Sequence, residues 1–159
     1  HGFHLGEKQH WAKRTLWEES TRTPLIFAGP GIGEGIDCRE AVSLLDIYPT
    51  LIDLCGLPKS KRLDGRSLGP QLKDPLAPSN EPVISTSYYE NHAIRSKDWR
   101  YIRYADGAEE LYDHRNDPDE FTNLAKHPDH REMKESLAKW LPKNAAPEVK
   151  KAGEKGKRK

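Results

Sequence analysis

Apolar residues are scarce in this chain. They make up 35% of its 159 residues, whereas an ordinary globular domain has about 45–50% when glycine is counted with them. One modest core is affordable at this length; a large one is not. No apolar stretch approaches the roughly 18 residues a helical membrane span needs, so no membrane span is expected. Cysteine is nearly missing. Cys38 and Cys55 are the only two, and neither sits in a C-x-x-C pair, which disfavours a zinc knuckle. With a strand and a helix between them, their Cα atoms would lie beyond the ~7 Å reach of a disulfide. Both therefore read as free thiols, Cys55 within a core. No charged-then-apolar leader opens the chain. It begins His-Gly rather than Met, reads as processed or a fragment, and carries no information on compartment.

Excess charge is lacking too. The net charge is +1, but residues 143–159 hold a local +5 and the remainder a local −4. A globally basic nucleic-acid binder is disfavoured on that balance. The tail from 142 onward, lacking aromatics, cannot repay its ordering entropy and is expected to be disordered.

What is present falls into blocks. Residues 1–23 mix Gly, His, Trp and charge without clean periodicity, predicting a loop with a short helix around 15–20. PLIFA (24–28), bounded by Gly-Pro-Gly, and AVSLL (41–45) read as buried strands. Between them GPGIGEGID follows a strand, but its G-x-G-x-G-x-G spacing and the lack of a helix behind it do not fit a dinucleotide loop. Asp46 reads as an N-cap and Pro49 as first-turn proline of a helix over 47–55, burying Leu51, Ile52, Leu54 and Cys55 and ended by Gly56. A long Pro/Gly-rich connector spans 57–82, with a helical turn near 67–72. Residues 83–113 carry short β-branched and aromatic runs divided by Glu90-Asn91, Lys97-Asp98 and Asp106-Gly107, an antiparallel meander. In it Trp99, Tyr101 and Arg103 face one way and Arg100, Ile102 and Tyr104 the other. Residues 129–141 place Met133, Leu137, Trp140 and Leu141 on one helical stripe, able to lie on that sheet. Trp99, Tyr101, Tyr104 and Trp140 read as core rather than as sugar-stacking platforms. The fold class is α+β. The organisation is 1–56, a connector 57–82, a sheet-plus-helix subdomain 83–141 and a basic tail 142–159.

Chemistry concentrates in the N-terminal loop, which holds His1, His4 and His10 with Glu7, Lys8 and Lys13. Spacing alone leaves an anion site or a metal site open, since H-x-x-H outside a helix is not H-E-x-x-H. Lys8 and Arg14 read as solvated, as do His114 and Arg115.

HGFHLGEKQHWAKRTLWEESTRTPLIFAGPG resembles the late catalytic segment of sulfatases of the alkaline-phosphatase-like superfamily. There, Asp-His-Gly or Asp-Asn-Gly ends a strand, a lysine follows about a dozen residues on, and Glu with Pro-Leu completes the run. His1-Gly2, Lys13, Glu19 and Pro24-Leu25 stand at those places. LLDIYPTLIDLCGLP with LDGRSL resembles the next family segment. HAIRSKDWRYIRY and EELYDHRNDPDEFTNLA resemble its C-terminal subdomain. The histidine at position 1 makes the chain most similar to iduronate-2-sulfatase-like members.

The resemblance implies a C-terminal portion of a sulfate-ester hydrolase, acting on a sulfated small molecule or glycan. It implies a formylglycine nucleophile and a Ca²⁺ whose other ligands lie outside this stretch, on the N-terminal catalytic portion of the same polypeptide. Neither Cys38 nor Cys55 has the C/S-x-P-x-R context of that nucleophile, so the chain alone is expected to be inactive. The resemblance further implies an exported setting: periplasmic, extracellular or lysosomal. By the same likeness Lys13 and His1 are the catalytic candidates, and His1 is the metal candidate. Lys13, Phe3, Asn91 and His92 are the substrate-binding candidates. A non-catalytic module for anionic glycans, or a phosphoester or phosphonate hydrolase of the same superfamily, are the alternatives.

Overall fold

The computed structural model describes residues 1–144; the expectation for the basic tail falls mainly on 145–159, outside the described residues. Its centre is one sheet of four strands, β1 (Val83–Thr86), β2 (His92–Arg95), β3 (Trp99–Arg103) and β4 (Glu109–Asp113), in the order β1-β2-β3-β4. All neighbours are antiparallel, as the meander pattern predicts, with Ala93 opposite Ile102 and Tyr101 opposite Leu111. Gly107 closes the β3–β4 turn at φ 86°, and Tyr104 N–H donates to the Ala108 carbonyl. That left-handed backbone costs a glycine little.

Both faces of the sheet are covered over β2, β3 and β4, which read as nearly continuous buried runs, while the edge strand β1 alternates. On one face Ile94, Trp99, Tyr101 and Leu111 meet Leu137 and Met133 of helix α4 (Arg131–Ala138). A 3₁₀ turn, Pro128–His130, leads into it. Trp140, expected on the same stripe, lies past the helix end and is 40% exposed. On the other face Leu16 packs with Ala93, Ile102 and Tyr112, so the N-terminal segment, not a helix, covers this side. That segment ends in a one-turn helix, α1 (Glu18–Thr21).

Helix α2 (Ile47–Leu54) stands where expected, and Gly56 follows it at φ 62°. Its buried positions are Thr50 and Ile52; Leu51 and Leu54 are 45% and 46% exposed, and Cys55, expected in a core, is exposed. An eight-residue helix that buries only the side carrying Thr50 and Ile52 turns its remaining apolar side chains outward. Both cysteines are free. The N-cap is also displaced. Ser43 caps a 3₁₀ turn, Leu44–Asp46, by accepting from Leu45 N–H, and the buried Asp46 carboxylate accepts from Ser43 N–H at 2.8 Å and Arg66 N–H at 2.9 Å. Gly65 is needed beside it, because a Cβ there would lie 2.1 Å from the Leu45 carbonyl oxygen. A short helix, α3 (Gly69–Lys73), follows in the connector.

Two expectations fail. Residues 24–28 and 41–45 form no strand. A strand is defined by a neighbouring backbone to pair with, and no described residue offers one. Ile26 is 85% and Leu45 63% exposed, so these runs present apolar surface instead of burying it. No helix among the described residues is long and apolar enough to cross a membrane.

Candidate functional site

The first thirteen residues fold back on themselves. His4 N–H donates to the Ala12 carbonyl at 2.9 Å and Gly6 N–H to the His10 carbonyl at 3.0 Å. The tip is a 3₁₀ turn, Glu7–Gln9. This hairpin brings its two feet together: the Lys13 ammonium donates to Nε2 of His1 across 3.2 Å. The bond requires a neutral imidazole with its proton on Nδ1. Both side chains are exposed here and line a cleft of about 400 Å³. Arg14 and Thr15 add to its wall, with Ser20 and Thr21 of α1 and Ser85, Thr86 and Ser87 at the β1 edge. Calcium is held by hard oxygen donors, chiefly carboxylates. This cleft offers an imidazole, an ammonium, a guanidinium and hydroxyls, and no carboxylate lines it. Its residues suit a tetrahedral oxyanion and do not by themselves make a calcium site.

The other candidates stand apart from this pair. Phe3 is 54% exposed on the hairpin. Asn91 is used up locally: its amide donates to the Ser87 carbonyl and its oxygen accepts from Ala105 N–H, both at 3.0 Å. His92 is buried on the α4 side of the sheet, its Nδ1 2.9 Å from Thr86 Oγ1, and borders a separate cleft with Glu90, Arg103 and Lys143. The three loop histidines do not converge. His4 and His10 pack edge to face at 5.1 Å beside Trp17, and His4 Nε2 is 2.7 Å from Thr15 Oγ1. Glu7 instead accepts from Leu5 N–H at 2.6 Å.

Behind the hairpin lies a buried ionic cluster that sequence reasoning missed. Glu120 is 0% and Arg100 2% exposed. Arg100 Nε donates to Glu120, its Nη2 to Glu18, and its Nη1 to the Leu16 carbonyl at 2.8 Å. Arg95 donates to Glu18 at 3.3 Å, and His114 Nε2 is 2.8 Å from Glu120. His114 is therefore a buried partner, not a solvated loop residue, whereas Arg115 is half-exposed and pairs with Asp113 at 2.8 Å. Burial pushes the Glu18 and Glu120 carboxyls up. The adjacent arginines, with His114 at Glu120, outweigh it, so both lie below the ordinary carboxylate value. Glu18, His114 and Glu120 have the atom types and spacing of a metal group. Two guanidiniums already neutralise those carboxylates, so the cluster is a salt-bridge network. The one clue in the sequence was the inward register of Arg100, on the face of Ile102.

Lys8 corrects a second expectation. Its ammonium lies 4.5 Å from the Trp17 ring centre and 4.4 Å from that of Tyr112. It donates to Tyr112 Oη at 3.1 Å and to the Glu120 carbonyl. Arg14, by contrast, is exposed as expected.

Residues 6–146 match the family model for the N-sulphoglucosamine sulphohydrolase C-terminal domain. A sulfatase of Formosa agariphila is 40% identical over 146 residues, covering 92% of this chain and 29% of that protein. Human arylsulfatase K is 34% identical over 140 residues, covering 79% of this chain and 26% of its own length. Among solved structures, a 2-O GAG sulfatase superposes with a TM-score of 0.77 at 32% identity, over 89% of this chain and 33% of that one. The chain belongs to the sulfatase family as its C-terminal domain, and spans about a third or less of these relatives.

Proposed function

We propose that this chain is the C-terminal part of a sulfuric ester hydrolase and that His1 and Lys13 meet the sulfate group of its substrate. The observation that carries the reading is the Lys13–His1 pair, 3.2 Å apart in a cleft lined by cationic and hydroxyl groups. The Lys13 ammonium donates to a sulfate oxygen and holds the charge that shifts toward the leaving oxygen as the S–O bond breaks. The neutral His1 imidazole orients that ammonium from one side and presents its Nδ1–H to a further oxygen. The formylglycine that supplies the nucleophile, and the carboxylates a Ca²⁺ requires, are assigned to the rest of the polypeptide, because Cys38 and Cys55 lack the C/S-x-P-x-R context and the cleft lacks carboxylates. Residues 1–56 are accordingly the end of the catalytic domain. The exposed apolar residues Ile26, Leu44 and Leu45 mark where this chain meets the remainder. A sulfated glycan is the proposed substrate, since a relative of this chain is a 2-O GAG sulfatase. An exported setting follows from that substrate class. Phe3, exposed on the hairpin, is proposed to give the substrate an apolar contact beyond the sulfate, whereas Asn91, in the β1–β2 turn, and His92, at the start of β2, lie outside this cleft and do not touch sulfate. The test is sulfate release from N-, 2-O- and 6-O-sulfated disaccharides and an aryl sulfate by the enzyme carrying this chain. Release from none of them would refute the reading.

A further inference from the structure

The hairpin tip is strained. Lys8 and Gln9 are non-glycine residues with left-handed backbone, φ 52° and 58°. Such residues persist only where their surroundings over-determine them, and they gather at functional sites. The surroundings here are the cage around the Lys8 ammonium: the faces of Trp17 and Tyr112, the Tyr112 hydroxyl and the Glu120 carbonyl. The walls of the cage are themselves fixed. Trp17 Nε1 and Tyr112 Oη both donate to Oε2 of Glu110, at 2.7 and 2.9 Å. Glu120 is held by Arg100 and His114. Burial lowers the Lys8 pKa, and Glu110, Glu120 and Glu19 oppose that shift. The tip is thus bolted to β4 and to the loop that follows it. Two backbone rungs, His4–Ala12 and Gly6–His10, connect it to the feet that carry His1 and Lys13.

We propose that Lys8 is a positioning residue: its caged cation seats the hairpin on the antiparallel sheet and so sets the Lys13–His1 geometry. The consequence for catalysis rests on the reading that Lys13 meets sulfate; the geometric claim does not. Lys8→Met keeps the length and apolar stem and removes the charge, whereas Lys8→Arg keeps a cation able to lie against both rings.

In the whole enzyme, Lys8→Met is expected to lower kcat by about 10–100-fold with KM changed less than about threefold, and Lys8→Arg to restore most of the loss. In a Lys13→Ala background, Lys8→Met should cost less than about threefold more, because it acts through Lys13. A crystal structure of the Lys8→Met enzyme should show the Lys13–His1 contact opened beyond hydrogen-bond distance. Full multiplication of the two effects, or Met performing as well as Lys, overturns the positioning role. A harmless Lys13→Ala refutes the sulfate reading instead. The crystal structure then decides the geometric claim alone, and an unmoved Lys13–His1 pair overturns it.

Discussion

The ammonium of Lys13 and Nε2 of His1 lie 3.2 Å apart although they are twelve positions apart in the chain. The hairpin between them makes them neighbours on one side of a cleft whose opposite rim is the edge of β1. Lys13→Ala in the whole enzyme is expected to lower kcat/KM by about 10²–10³, the usual loss for one oxyanion-stabilising donor. Lys13→Arg should recover part of it, because a planar fork replaces a compact point charge. Ala at the exposed Lys61 should stay within about threefold of wild type. Steady-state kinetics on one sulfate ester decide the matter.

The Arg100–Glu120–Glu18 cluster predicts a large stability effect. Arg100→Leu leaves two carboxylates buried without their main counter-charge, so it should cost about 3–5 kcal/mol. Urea unfolding midpoints measure this. An effect near the ~1 kcal/mol of an exposed pair would mean that the cluster is solvated in solution.

Acid should act through the same residues. Glu18 and Glu120 are depressed in the folded chain. Their contribution is therefore fully present above the unfolded carboxylate value of about 4.3 and is lost as pH falls through the lower folded values. Asp113 behaves likewise: its bonds from the Arg115 side chain hold it at about 2, so its share is lost between about 4 and 2. Stability followed against pH should fall over this window. Glu120→Gln should flatten the fall, and an unchanged slope would contradict the assignment.

The chain of residues 1–159 by itself should release no sulfate. Neither Cys38 nor Cys55 has the context for formylglycine. Ion chromatography on purified protein, free of host sulfatase, is the measurement. Release above the buffer blank would place a nucleophile within this chain.

The meander, its turns, helix α2 with Gly56 behind it, and helix α4 were legible because their signals are local. Short β-branched and aromatic runs between turn residues, glycine at a left-handed position and an apolar stripe each depend on residues a few positions apart. The runs at 24–28 and 41–45 misled for the converse reason. Their composition suits a strand, but pairing is a property of two segments, and the second is not among the described residues.

For the site, the amino-acid sequence by itself determined which residues are candidates. An imidazole at 1 and an ammonium at 13 give the candidate pair, and several blocks along the chain give the family, without coordinates. Only the tertiary structure decided what holds that pair. Lys8 and Lys13 are both lysines in the same polar loop, and no local pattern separates them. One is caged because Trp17 and Tyr112, from different parts of the chain, converge on it; the other stays exposed beside His1. Arg100 and His114 were likewise unremarkable as letters. They became a buried network because the register of β3 turns Arg100 inward, under the N-terminal segment that carries Glu18 and beside the loop that carries Glu120. A buried charge survives only with partners, and such partners are chosen by distance in space, not along the chain.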